Sequence, residues 1–240
     1  MIPRSIAAVG VLAAALLAGG VARAEAPNRT LDRWRQRLVR AEARLAASDW
    51  KRADRDLAEL RSELLDLVVG GEGESEWFGR TLALQAVARA GLGDRRGAEW
   101  WWWCAQEIWP AATALDLSRF GRAGSDVGAL GAPAPVPAEL FFIGPPQASE
   151  EPAHELESKG ACSPIFPRSK WDTYRRKTFR VIVRTEIDEE GRPWRPQIIR
   201  PGPDAGITVA GLIALYDCRY DPASMEGLSR PVMLTVRLEH

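Results

Sequence analysis

Apolar positions along this chain follow two different periods. From Thr30 to about Leu117 they recur every three or four residues: Leu31, Trp34, Leu38, Ala41 and Leu45 form one stripe, Ala53, Leu57, Leu60 and Leu64 a second, and Leu82, Ala86 and Ala90 a third. That spacing predicts amphipathic helices. Turn residues separate them at Ser48-Asp49, at Gly70-Gly71-Glu72-Gly73 and at Gly91-Leu92-Gly93-Asp94. In the last third the period becomes two. Phe179, Val181, Val183 and Ile187 alternate with Arg180, Arg184 and Glu186, which predicts a half-buried strand. Asp188-Glu189-Glu190-Gly191 has turn chemistry, and Trp194 to Ile199 resumes an extended run, so the two pieces read as a hairpin with a solvated acidic tip. Val209, Leu212, Ile213 and Tyr216 then share one helical stripe, and Val232, Leu234, Val236 and Leu238 alternate again. Strand, strand, helix, strand is an α+β unit in which one helix covers a small antiparallel sheet.

Composition divides the chain further. Residues 1–24 carry Arg4 in a short positive head, an apolar run from Ile6 to Val21, and Ala22-Arg23-Ala24, the layout of a cleaved signal peptide. Residues 25–120 are the helical region. Residues 121–160 fill with Gly, Ala, Pro, Ser and Glu and read as a linker, interrupted by the apolar island Leu140-Phe141-Phe142-Ile143. Residues 161–240 hold the α+β unit. The 32 basic and 32 acidic residues are interspersed, which gives no footprint for nucleic acid or an acidic membrane surface.

Several short motifs in the C-terminal region, taken in order, resemble the C-terminal domain of the TonB family: Glu186-Ile187-Asp188-Glu189-Glu190-Gly191, the helix ending in Ala214-Leu215-Tyr216, Arg219-Tyr220-Asp221-Pro222-Ala223, Gly227 and Pro231-Val232, with Phe166-Pro167 in place of the family's Tyr-Pro pair. The chain departs from that pattern at Leu228-Ser229-Arg230, where the turn is longer, and at Gly211, which costs a helix about 1 kcal/mol against Ala. The helical region has an internal echo. Ala41-Glu42-Ala43-Arg44, Asp49 and Ala53 return as Ala86-Val87-Ala88-Arg89, Asp94 and Ala98, 45 residues later. The second copy continues with Trp102, Ala105 and Pro110 and resembles a tetratricopeptide repeat, whose period is about 34 residues. Another small helical bundle would produce much of the same pattern.

The TonB resemblance implies binding of an extended partner peptide by strand addition at an exposed sheet edge, as family members bind a short segment of outer-membrane transporters. The expected edge is the last strand, Val232, Met233, Leu234, Thr235, Val236, Arg237 and Leu238, with its backbone supplying affinity and Met233, Thr235 and Arg237 tuning selectivity. Alternatives are a dimeric scaffold in which this edge pairs with itself and the helical region does the binding, and a membrane-anchored energy transducer. Energy-coupling relatives carry a Ser and a His on a retained membrane helix, whereas the histidines here are His154 and His240, far from the N-terminal segment. The expected location is the periplasm or cell envelope.

Trp100 to Trp103 cover most of a helix circumference, so they cannot all face one core. Trp101 and Trp102 fall near the buried stripe; Trp100 and Trp103 are left to pack elsewhere in the chain or to form an aromatic binding patch. In an oxidising compartment Cys162 and Cys218 are expected to pair, with Cys104 a buried thiol. No metal-spaced cluster, nucleophile elbow or phosphate-cradling loop is present in the sequence, so no catalytic residue, cofactor or small-molecule substrate is assigned and an enzyme is not expected.

Overall fold

The computed structural model describes residues 31–66, 72–131, 179–188, 190–220 and 232–238. The expected leader, Cys162, Phe166-Pro167 and the stretch 132–160 of the expected linker lie outside them, as does Leu228-Ser229-Arg230. The chain divides into two units, Met1–Arg40 and Ala41–His240. Residues 31–40 of the first are helical. The second begins with a helical segment, α1 (residues 41–46), followed by α2 (Trp50–Asp66), α3 (Glu72–Gly91), α4 (Arg95–Ile108) and α5 (Gly121–Gly128). It continues with β1 (Phe179–Ile187), β2 (Pro193–Arg200), α6 (Ala205–Asp217) and β3 (Val232–Leu238). Strand, strand, helix, strand is therefore the observed order, and the class is α+β.

The internal echo is also visible in the backbone. After α1, the amides of Ala47, Ser48 and Asp49 donate to the carbonyls of Ala43, Leu45 and Arg44, and Ala53 N–H donates to Asp49. After α3, the amides of Leu92, Gly93, Asp94 and Ala98 donate to Ala88, Ala90, Arg89 and Asp94 in the same order. Both turns need a residue at positive φ, Ser48 at 59° and Gly93 at 78°. One turn geometry, used twice, accounts for the repeated Arg, Asp and Ala.

α3 and α4 form the centre of the helical layer. Residues 81–88 of α3 and Gly97–Gln106 of α4 are all buried, which requires packing on every side rather than on one stripe. α2 and α5 pack on α3, and α4 lies against α3 on one side and against β2 and α6 on the other. Pro110, which cannot continue a helix, opens a 3-10 turn just beyond α4. Glu72 and Gly73, expected in a turn, belong to α3, and α5 begins at Gly121 with Ala123 and Val127 buried.

The sheet has the order β2-β1-β3, antiparallel throughout. Its alternation sets the layers. Val181, Val183, Thr185 and Ile187 are buried, whereas Ile182 and Arg184 are half-buried. The covered face lies under α6: a Cβ at Gly211 would sit 3.3 Å from Val181. Gly211, a weak helix former, thus stands where helix and central strand approach closely.

Candidate functional site

α4 is the element on which the sheet is mounted. Near its N-terminal end Arg96 pairs with Asp188 of the β1–β2 turn, and Glu190 lies 3.6 Å from the same guanidinium. The acidic tip is therefore not simply solvated; the Asp188 side chain is 9% exposed. Its carboxylate also accepts from Arg192 N–H at 2.6 Å. Gly191 completes that turn at φ 75°, and its carbonyl accepts from Tyr220 N–H at 2.8 Å.

In the middle of α4, Trp100 and Trp101 meet Tyr216 of α6, with ring centroids 5.7 and 4.9 Å apart. Trp100 is 0% and Trp103 7% exposed, and the Arg195 guanidinium lies 5.6 Å from the Trp103 ring. Burial removes the aromatic patch considered at Trp100 and Trp103: α4 packs against α3, α6 and β2, so indoles on different sides of the helix are all covered. Trp102 Nε1 and Gln106 Nε2 both donate to the Gly131 carbonyl, at 3.2 and 3.0 Å.

Beside these rings runs a part-buried polar chain. Arg61 stacks 4.2 Å over Trp101 and donates to Gln85 at 2.8 Å; Gln85 donates to Asp54 at 3.3 Å; Arg89 donates to Asp54 at 2.8 Å and to Asp94 at 3.2 Å. Asp94 in turn accepts from Gly97 N–H and caps α4. Burial lowers the Arg61 guanidinium to about 10, opposed by Asp217 and Asp54. Burial raises the Tyr216 phenol, and it raises that of Tyr220 to about 12. The sequence reading did not single out Arg61, Gln85 or Asp54, because their partners are far away in the chain.

The two sheet edges differ. β2 carries Pro193 and Pro196, which have no N–H to offer, and Arg195 sits at φ 53° in the irregular stretch between Trp194 and Gln197. The Ile198 N–H, which an edge strand would leave open, donates to the Glu107 carboxylate of α4 at 3.0 Å. Burial raises the Glu107 carboxyl above its ordinary value, partly offset by that amide. Glu107 also borders a cavity of about 350 Å³ with Ser75, Thr208 and Gly202. So proline, a bulge and a helix close the β2 edge.

β3 is the other outer strand; it holds no proline, and its register with β1 has no bulge. It pairs with β1 through an uninterrupted register from Phe179↔Leu238 to Thr185↔Val232, and among the described residues no strand lies on its far side. All seven residues expected at the binding edge, Val232 to Leu238, belong to it. Cys218, at the C-terminus of α6, is disulfide-bonded; Cys104 is a free buried thiol. No cluster able to hold a metal ion occurs among the described residues, and none of the described helices is long and apolar enough to cross a membrane.

The class of protein this geometry defines is a small helix-covered antiparallel sheet carried on a helical layer, with one edge blocked. In comparisons with known proteins the chain matches no family model, no curated protein and no solved structure. Its resemblances rest on the residues quoted above.

Proposed function

We propose that this is an exported envelope protein that binds an extended partner peptide by strand addition to β3, in the manner of a TonB-like C-terminal domain, with the tetratricopeptide-like helical layer as its carrier. The observation that carries the reading is the asymmetry of the sheet: β2 is blocked by Pro193, Pro196, the Arg195 bulge and the Glu107 carboxylate, while β3 has no strand on its far side among the described residues. An incoming strand would complete the β3 ladder, and main-chain hydrogen bonds would supply affinity. Export is supported by the leader-like residues 1–24 and by the disulfide at Cys218, for which we propose Cys162 as partner, the remaining cysteine in the sequence.

The test is selection of heptapeptides from a random library, followed by backbone amide exchange on the full chain. The expected result is slowed exchange at alternate β3 amides in the complex and unchanged exchange at Ile198. Protection confined to the helices would transfer the binding role to the helical layer. Protection of β3 that grows with protein concentration and needs no peptide would identify a dimer.

A further inference from the structure

The cavity at the end of α4 holds a carboxylate whose charge its hydrogen bond does not require. Glu107 stands in the last turn of α4, half-buried, and its Oε2 accepts from Ile198 N–H. Its other oxygen meets no donor among the described residues. A glutamine would accept the same amide with no charge to desolvate. The carboxylate also sits at the unfavourable end of its helix, because the C-terminal turn carries the negative end of the helix dipole and in α4 holds no basic residue. A cation placed beside Glu107 would meet both.

The walls select the kind of cation. The cavity measures about 350 Å³, and its described lining contains no basic and no aromatic residue. Ile108, Pro201 and Ala205 give it apolar sides. Ser75 also lines it, half-buried, with a hydroxyl that makes no hydrogen bond among the described residues. The Thr208 hydroxyl is occupied: it accepts from Gly202 N–H and donates to the Asp204 carbonyl. Asp204 caps the N-terminus of α6 by accepting from Ile207 N–H, so its negative charge offsets the positive end of that helix. No group of three metal-ligating side chains occurs among the described residues. A quaternary ammonium favours an aromatic cage, which the described walls do not supply.

We propose that this cavity binds a primary ammonium group carried on a short apolar chain, with Glu107 as its counter-ion. The ammonium donates to the Glu107 carboxylate and the Ser75 hydroxyl, and its methylenes lie along the apolar sides. The site adjoins β2, at the opposite edge of the sheet from β3, and does not rest on the strand-addition reading. A lysine side chain of a partner and a free alkylamine present the same chemistry.

The test is titration of the isotopically labelled full chain with n-butylammonium chloride, followed at the backbone amides. The expected result is a saturable shift at Ser75 and Ile198, half-complete at roughly 1–10 mM, with the β3 amides unmoved. n-Butanol lacks the charge, and tetramethylammonium and potassium lack the N–H donors; each should bind at least about tenfold more weakly. E107Q, which keeps an acceptor for Ile198, should weaken n-butylammonium by about tenfold as well. An equal response to potassium at matched ionic strength would reduce the effect to screening and overturn the proposal, as would undiminished binding by E107Q. The probe series on the parent chain decides the outcome even where that variant fails to fold. Tighter binding of Nα-acetyl-lysine amide than of n-butylammonium would assign the site to a lysine side chain; the reverse order would assign it to a small free amine.

Discussion

Asp54 carries more of the polar interior than its single negative charge suggests. It accepts from both Gln85 and Arg89, and through Gln85 it supports Arg61, which is buried against Trp101. Removing an anion from such a chain leaves buried donors without an acceptor, and that penalty exceeds the worth of the pair itself. D54A should lose about 3 kcal/mol of stability in urea unfolding. D54N, which keeps an acceptor oxygen, should lose less; equal losses would mean that packing alone is at stake. Glu107 makes a second residue-level case. A carboxyl raised above its unfolded value of 4.5 binds its proton more tightly in the folded chain. Stability from this group is therefore present at low pH and is lost as pH rises through the folded value. E107Q should remove that downward slope between pH 4.5 and neutrality when its urea unfolding is compared with the parent's. An unchanged slope in E107Q would assign the dependence to other groups.

At the scale of elements, α4 decides where the sheet sits. Its Trp100 and Trp101 hold α6 through Tyr216, and its two ends hold the β1–β2 turn through Arg96 and the β2 edge through Glu107. Truncating a fully buried indole leaves a cavity that the surrounding rings cannot close, so W100A should cost about 4 kcal/mol. Circular dichroism during unfolding would check it; a loss below about 1 kcal/mol would show that the site collapses around the gap. The β1–β2 turn makes a sharper demand. Gly191 has φ 75°, and a Cβ there would run into the Tyr220 carbonyl oxygen. G191A should therefore destabilise by at least about 2 kcal/mol, from the left-handed conformation and the collision together. Amide exchange at Tyr220, which donates to Gly191, should accelerate more than exchange within α3.

Across the whole molecule, the helices of residues 41–131 and the C-terminal sheet belong to one compact unit, Ala41–His240. The interface between them contains the largest side chains of the chain, so the sheet and the helical layer should unfold together. Tryptophan fluorescence, which reports α4, and exchange at the β1 amides should give coincident midpoints in denaturant. A sheet that melts first would show that the two parts are independent. For the same reason a fragment of residues 161–240 should be less stable than the same region in the full chain, since Tyr216 and β2 would lose their cover. Unfolding of that fragment at the full chain's denaturant midpoint would count against the shared core.

Periodicity was enough to locate β1, β2, α6 and β3, because alternation of two and of three to four residues follows directly from backbone geometry and one-sided burial. The repeated turn was equally legible, since Arg44 and Arg89, Asp49 and Asp94, and Ala53 and Ala98 act within a few residues of one another. Local sequence also marked β3 as a strand with an alternating pattern. What it left open was whatever depends on contacts between distant segments: the burial of all four tryptophans, the pairing of Arg96 with Asp188, and the chain from Arg61 to Asp94. The same holds for the choice of edge. Pro193 and Pro196 are readable as poor edge donors, but only the tertiary structure brings Glu107 to the Ile198 amide, 91 residues away in the chain, and so closes the β2 edge. A local pattern determines which face of an element is apolar; the partner of that face is determined only when the chain closes on itself.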